Sequence, residues 1–151
     1  MKKPTIGIIG NGFVGKATSQ LACLEIELLI YDVDPDLCNP PNTTLLDLCN
    51  ECNIIFISVP TPMSKNGECH LTILETVVKS LQDLEYTGII FCRSTVPVGT
   101  CDRLNICFMP EFLTEKNYIQ DFINNTDWIF GIVKETEIKT KYITETVTEL
   151  I

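Results

Sequence analysis

The chain has 151 residues, of which 45% are hydrophobic, and this is enough for one globular domain with a buried core. Its formal net charge of −9 disfavours nucleic acid and anionic membrane surfaces as partners, because an acidic surface repels phosphate groups. No apolar run approaches the roughly 18 residues of a membrane span, and no signal peptide is recognised. We therefore expect a cytoplasmic protein.

Predicted strands alternate with predicted helices along the whole chain. The strand patterns cover residues 5–9, 27–32, 53–59, 88–92, 105–109 and 128–133. Helical patterns cover residues 13–24, 45–49 and 71–84, a stretch near 114–122, and a polar-rich segment at 135–150. Regular alternation with nearly continuous apolar strands is typical of parallel sheets covered on both faces. The sequence thus predicts a single α/β domain, a Rossmann-type doubly wound and mostly parallel sheet of about six strands.

One connection in this pattern is unusually short. Between Gly99 and Asn105, where the fifth predicted strand begins, only five residues, Thr100 to Leu104, are left for a crossover helix. A crossover between parallel neighbours normally needs about a dozen residues. Either this connection is degenerate or the two strands are not parallel neighbours.

A glycine-rich loop follows the first predicted strand and precedes the first helix. Its sequence is G-N-G-F-V-G, from Gly10 to Gly15, and Asp32 ends the second strand roughly 20 residues later. Gly10 permits a sharp turn, Gly12 leaves room for a pyrophosphate, and Gly15 permits close packing of the helix on the strand. Asp32 can accept hydrogen bonds from ribose hydroxyls. The layout predicts a dinucleotide-binding loop.

Three further motifs follow the next three predicted strands. They are V-P-T-P at 59–62, S-T-V-P-V-G-T at 94–100 and P-E-F-L at 110–113. Each alone could be a rigid loop in which prolines provide stiffness. Ligands of doubly wound folds bind at the carboxyl ends of the strands. Because all three motifs lie at that end, on the same side as the glycine loop, they indicate a ligand site.

The 8 cysteines do not form a recognisable metal or redox motif. Cys49 and Cys52 form the one C-x-x-C, and His70 is the only histidine, whereas a zinc site needs further ligands at suitable spacing. The pair precedes a strand and does not open a helix, unlike redox C-x-x-C motifs. We expect free thiols and no metal.

In their order along the chain, these motifs resemble those of the nucleotide-sugar dehydrogenases, typified by UDP-glucose and GDP-mannose dehydrogenases. Members of that family oxidise a sugar primary alcohol to a carboxylate in two NAD-dependent steps through a covalent cysteine intermediate. They comprise an amino-terminal NAD domain, a central helix and a carboxyl-terminal domain that binds the nucleotide sugar. The resemblance implies that residues 1–151 are the NAD-binding domain alone. It also implies a UDP- or GDP-sugar substrate in the complete enzyme, and a homodimer or a separate carboxyl-terminal partner.

The resemblance also implies a role for each matching residue. The pyrophosphate would lie against Gly10, Asn11, Gly12, Phe13, Val14 and Gly15, and the adenosine ribose against Asp32. The cofactor would be lined by Val59, Pro60, Thr61, Ser94, Thr95 and Val96, and approached by Glu115. Glu111 would be the acid or base at the sugar, with Thr95 orienting the reacting groups.

The chain departs from the family pattern at several positions. The nucleophilic cysteine, the catalytic lysine and the asparagine of the family have no counterpart, nor does the arginine that covers the adenine. Arg93 replaces a usual lysine, His70 a usual aspartate, and Trp128 an arginine. Two alternatives remain open: a non-catalytic NAD-binding protein or subunit, and another β-hydroxyacid-type dehydrogenase, which the P-E-F-L motif disfavours. An exposed Glu111 without a catalytic role is a further possibility, and the identity of the sugar is not encoded here.

Overall fold

The computed structural model describes residues 3–133, which contain five strands, five α-helices and two short 3-10 helices at Ser19–Leu21 and Pro35–Leu37. The strands are β1 (Thr5–Ile9), β2 (Glu27–Tyr31), β3 (Ile54–Ile57), β4 (Ile89–Cys92) and β5 (Cys107–Phe108). The helices are α1 (Phe13–Thr18), α2 (Leu45–Glu51), α3 (Thr72–Asp83), α4 (Thr100–Leu104) and α5 (Tyr118–Ile123). The helix predicted at 135–150 lies outside the described residues.

The strands form one parallel sheet in the order β2-β1-β3-β4-β5. This confirms the predicted Rossmann-type α/β domain. From β1 the chain moves outward to β2 and then returns to the other side of β1 as β3. Strand order therefore reverses between β1 and β3, which is where doubly wound folds bind ligands at the carboxyl ends of their strands.

Alternate residues of the strands supply two hydrophobic cores, one on each face of the sheet. On one face, Ile55, Ile57 and Cys92 pack with the buried side chains of α2 and α3. On the other, Phe56 and Phe91 stack with their ring centroids 5.5 Å apart. Because both faces are covered, every residue of β1 and β3 is buried, which accounts for their uninterrupted apolar sequences.

The sixth predicted strand, at 128–133, is wrong: within the described residues the sheet has five strands. The segment makes a single antiparallel bridge, in which the Gly131 N–H donates to the Phe108 carbonyl at 2.7 Å. Its apolar side chains cover a face of the sheet instead. Phe130 packs edge-on against Phe91 at 5.6 Å between ring centroids, and Trp128 packs against Phe122 at 5.0 Å.

The short connection after β4 is a reduced crossover. Helix α4 has only five residues, yet β4 and β5 are parallel neighbours, with Phe91 opposite Cys107. Gly99 before the helix and Asn105 after it have φ values of 88° and 53°, which turn the chain tightly at both ends. The alternative that these strands are not parallel neighbours is therefore wrong.

Helix α3 covers one face of the sheet with a stripe of apolar side chains. Leu74, Val78 and Leu81 are buried at helical spacing, as the pattern at 71–84 predicts. Ile73 on the same helix is 45% exposed. Among residues 3–133, no helix combines the length and the apolar character needed to cross a membrane.

We expect Leu81→Ala to lower the free energy of unfolding by about 2–5 kcal/mol, because it leaves a cavity in a fully buried site. Ile73→Ala removes a comparable side chain from the exposed side of α3 and should cost much less. Urea denaturation of the two variants checks this, and equal losses would contradict the assignment of the buried face.

Candidate functional site

The glycine loop is shaped by two close backbone contacts. A Cβ atom on Gly15 would lie 1.9 Å from the carbonyl oxygen of Gly10, so α1 packs against the end of β1 at a distance that only glycine permits. Gly10 has a φ of 92°, and a Cβ atom there would lie 2.5 Å from the Ser58 carbonyl oxygen. The loop is thus pressed against the ends of both β1 and β3.

Gly12 differs from these two glycines, because no atom lies within 4 Å of the position its Cβ would occupy. Gly12 is also the N-cap of α1, and no side chain caps the helix. Since no protein atom fills the space beside Gly12, a ligand can lie there. The first backbone N–H groups of the helix also need hydrogen-bond acceptors, which a ligand can supply. This space and these donors fit the pyrophosphate of a dinucleotide.

Asp32 is fixed beside the loop at the end of β2. Its Oδ2 accepts a hydrogen bond from the Asn11 backbone N–H at 2.7 Å, and its Oδ1 accepts one from the Asp34 N–H at 2.9 Å. Each oxygen keeps a lone pair for a further donor, such as a ribose hydroxyl. The Cys38 thiol, which sequence reasoning missed as a neighbour, lies 3.4 Å from the Asp32 backbone oxygen.

The motifs after β3 and β4 are joined by hydrogen bonds. The Ser94 hydroxyl donates to the Val59 carbonyl at 2.7 Å, and the Thr61 hydroxyl donates to the Thr95 carbonyl at 2.6 Å. The buried Ser94 hydroxyl and the Val59 backbone carbonyl therefore hold the loops together. The remaining motif residues with a cofactor assignment are exposed or half-buried: Pro60, Thr61, Thr95 and Val96.

Cys69 is a second residue at this edge that the sequence did not single out. Its thiol lies 3.8 Å from the carbonyl oxygens of both Thr61 and Thr95. Because Cys69 and Thr95 are 26 residues apart, no local sequence pattern predicts their contact. The thiol proton can be donated to these carbonyls.

Glu111 lies two residues beyond buried Met109, which follows β5. It is half-buried, and its Oε2 accepts a hydrogen bond from the Leu113 N–H at 2.8 Å. The neighbouring Phe112 is 63% exposed, so it does not surround the Glu111 carboxylate with apolar atoms. Glu115 is exposed on the turn before α5. Glu111 and Thr95 follow neighbouring strands at the same edge of the sheet.

Arg93 lies directly after β4 and is only 3% exposed. Its guanidinium stands over the Phe122 ring, 5.7 Å from the centroid, and its Nε and Nη1 atoms have no hydrogen-bond partner. Burial lowers the pKa of Arg93 to about 10, and the negative charge of Glu111 opposes that shift. Arg93 therefore stays charged at neutral pH. The sequence shows the residue but gives no sign of its burial.

The described cysteines are free thiols, and no group of three or more potential metal ligands occurs within residues 3–133. A hydrogen bond with Cys101 and burial raise the pKa of the Cys92 thiol. The His70 ring nitrogen lies 2.9 Å from the Thr72 hydroxyl at the start of α3. His70 directly precedes Leu71, the N-cap of α3.

A family model described as the NAD binding domain of the UDP-glucose/GDP-mannose dehydrogenase family matches residues 41–150. The chain belongs to this family. The matched range contains the motifs after β3, β4 and β5, whereas the glycine loop and Asp32 precede it. NAD is therefore the cofactor of the domain, and the space at Gly12 fits it.

Individual relatives point the same way. UDP-glucose 6-dehydrogenase TuaD of Bacillus subtilis (strain 168) is 28% identical over 176 residues, which cover 87% of this chain and 37% of TuaD. UDP-glucose 6-dehydrogenase of Rickettsia bellii (strain RML369-C) is 30% identical over 96 residues, covering 55% of this chain and 22% of that enzyme. The chain thus spans well under half the length of these relatives.

Solved structures share the fold. GDP-mannose dehydrogenase from Pseudomonas aeruginosa superposes with a TM-score of 0.80 at 22% identity, covering 95% of this chain and 44% of that one. UDP-glucose dehydrogenase from Pyrobaculum islandicum superposes with a TM-score of 0.83 at 18% identity, covering 99% of this chain and 45% of that one. At these identities the superpositions establish the architecture.

We expect Gly15→Ala to destabilise the protein strongly, because its Cβ would lie 1.9 Å from a backbone oxygen and α1 would have to move away from β1. Gly12→Ala should fold with nearly the stability of the parent chain, since its Cβ meets no atom. Thermal unfolding of both variants without ligand checks the contrast. Equal melting temperatures would show that the contact at Gly15 is not tight.

Proposed function

We propose that the chain is the NAD-binding part of an enzyme that oxidises the primary alcohol of a nucleotide sugar to a uronate in two NAD-dependent steps. The observation that carries this proposal is the continuity of one edge of the sheet. Hydrogen bonds link the motifs of β3 and β4 there, and the glycine loop and the Glu111 segment lie on either side.

In this proposal NAD, when bound, supplies the acceptor for hydride. The chain's own residues bind and orient it. Backbone N–H groups around Gly12 donate to the pyrophosphate, and Asp32 accepts hydrogen bonds from the adenosine ribose. Thr61 and Thr95 lie further along the same edge, towards the ends of β3 and β4.

Glu111 and Thr95 are the proposed groups at the reacting alcohol. A carboxylate can accept a proton from the alcohol, and a threonine hydroxyl can orient it by hydrogen bonding. The Leu113 N–H holds one oxygen of Glu111 at 2.8 Å and leaves the other oxygen for a substrate. Glu115, exposed on the turn that follows, is proposed to approach the cofactor.

The sugar-binding part is proposed to come from outside the described residues, either from a longer form of the chain or from a separate carboxyl-terminal partner. The thiol that captures the aldehyde of the first step is proposed to come from the same part. A UDP- or GDP-sugar is the proposed substrate. Assembly as a homodimer belongs to the same proposal.

We expect the chain to bind NAD at least about tenfold more tightly than NADP, because the Asp32 carboxylate repels the additional phosphate of NADP. Isothermal titration with both cofactors measures the ratio. Asp32→Asn is a matched control, since an amide oxygen can still accept from the Asn11 N–H but carries no charge. The ratio should fall in this variant, and equal or tighter binding of NADP by the parent chain would refute the assignment.

We expect residues 1–151 alone to bind NAD without turning over a nucleotide sugar. Glu111 and Thr95 can move a proton and orient an alcohol, but the second oxidation needs a thiolate beside the cofactor. Removing a nucleophile typically lowers the rate by several orders of magnitude. NADH absorbance with NAD and UDP-glucose, GDP-mannose or a UDP-N-acetyl sugar measures this.

Two variants make the turnover assay decisive. Sustained NADH formation that disappears in Glu111→Gln would show that the chain is a complete catalyst. Loss of that activity in Cys69→Ser, but not in Cys23→Ser with its exposed thiol, would assign the nucleophile to the thiol beside Thr61 and Thr95.

A further inference from the structure

Asn11, the second residue of the glycine loop, is tied to the segment 32–37 by two hydrogen bonds. Its backbone N–H donates to Oδ2 of Asp32 at 2.7 Å, and its side-chain Nδ2 donates to the Leu37 carbonyl at 2.8 Å. The two bonds reach across 21 and 26 residues of sequence. One residue of the glycine loop therefore holds both ends of the segment that follows β2.

The base of the segment 32–37 is closed by other contacts. The Cys38 sulfur accepts a hydrogen bond from the Asp32 N–H at 3.4 Å. Asn39, one residue further on, pairs with Ile30 of β2 through two backbone hydrogen bonds of 2.7 and 2.9 Å. These contacts fix the segment to the end of β2, whereas Asn11 joins it to the glycine loop.

The Asn11 amide is poorly explained by stability alone. Its Oδ1 atom is buried and, among residues 3–133, has no hydrogen-bond partner. An unpaired buried acceptor costs free energy, which an apolar side chain of similar size would avoid. What the amide provides is the N–H group at Leu37, because an apolar side chain could not donate to that carbonyl.

We propose that the Asn11 side chain is a positioning group for the adenosine half of NAD. By holding the Leu37 carbonyl against the glycine loop, it fixes the segment 32–37 and with it the direction of the Asp32 carboxylate. A carboxylate that is aimed before the ligand arrives binds the ribose at a lower entropic cost.

The side chain acts through this segment and not by touching NAD, since its Nδ2 is used by Leu37 and its Oδ1 is buried. The role rests on the proposed place of NAD at the glycine loop. It does not depend on the proposed oxidation of a sugar.

The first test is the dissociation constant of NAD, measured by isothermal titration. Asn11→Ala removes the bond to Leu37 and should weaken NAD binding roughly threefold to tenfold, the range expected for one hydrogen bond. AMP, which carries the adenosine half alone, should be weakened by the same factor. The matched control is Asn50→Ala, which alters an exposed asparagine of α2 and should leave both constants unchanged.

The second test separates positioning from a general loosening of the fold. If Asn11 aims the Asp32 carboxylate, Asn11→Ala should weaken NAD more than NADP, because a freed carboxylate repels the additional phosphate less. A general loosening would weaken both cofactors alike. In an Asp32→Ala background no carboxylate is left to aim, so the loss of NAD affinity caused by Asn11→Ala should shrink to less than about twofold.

The proposal is overturned by any of three results. Asn11→Ala binds NAD as tightly as the parent chain, NAD and NADP are weakened equally, or the loss persists undiminished in the Asp32→Ala background. Should Asn11→Ala fail to fold, Asn11→Ser replaces it in every measurement, since its side chain is one bond shorter and cannot reach the Leu37 carbonyl.

Gly12→Val tests the place of NAD separately, because its side chain enters the open space where the pyrophosphate is proposed to bind. If Gly12→Val leaves NAD binding unchanged, the proposed site is wrong, and the role of Asn11 in it is wrong as well. If Gly12→Val abolishes binding while Asn11→Ala has no effect, only the role of Asn11 is wrong. None of these measurements uses a sugar, so they do not depend on turnover.

Discussion

The close approach of α1 to β1 is the constraint on which the site depends. With 1.9 Å between the Gly10 carbonyl oxygen and the position of a Gly15 Cβ, the helix can lie only where a glycine allows it. This contact turns the loop so that the Asn11 N–H faces Asp32 and Gly10 faces the Ser58 carbonyl. One packing contact thus fixes the ends of β1, β2 and β3 relative to one another.

The other half of the edge is held by side-chain hydroxyls. Ser94 and Thr61 donate to carbonyls across the gap between the β3 and β4 loops, over separations of 35 and 34 residues. Carbonyls in such loops lack strand partners, so the hydroxyls satisfy groups that would otherwise need water. The loops are therefore ordered by folding and not by the ligand, which lowers the entropic cost of binding.

The periodicity of apolar residues allowed most of the fold to be predicted from the sequence. The one strand that it predicted wrongly, at 128–133, has a physical explanation. The bounds of β1 agree to the residue, and α3 lies within the predicted 71–84. The segment 128–133 was mistaken for a strand because an apolar run that covers a sheet looks like one that belongs to it. Phe130 and Trp128 are half-buried against the rings of Phe91 and Phe122, a side-chain contact that does not require the segment to pair as a strand.

The candidate site, like the fold, could be predicted from the sequence only in part. The order of the motifs predicted which loops meet, because the carboxyl ends of parallel strands share an edge. The contacts of Cys38 and Cys69 were missed, since neither thiol belongs to a pattern. Burial of Arg93 was equally invisible, because arginines are rarely fully buried and local sequence gives no sign of the exception.

The charges of the chain show why these hidden contacts matter. A protein with a net charge of −9 must hold an anionic dinucleotide through local donors, since its overall field repels the ligand. Backbone N–H groups at the glycine loop supply such donors without adding a side chain. Asp32 and Glu111 each add a negative charge to the same edge, and each carboxylate is tied to backbone N–H groups.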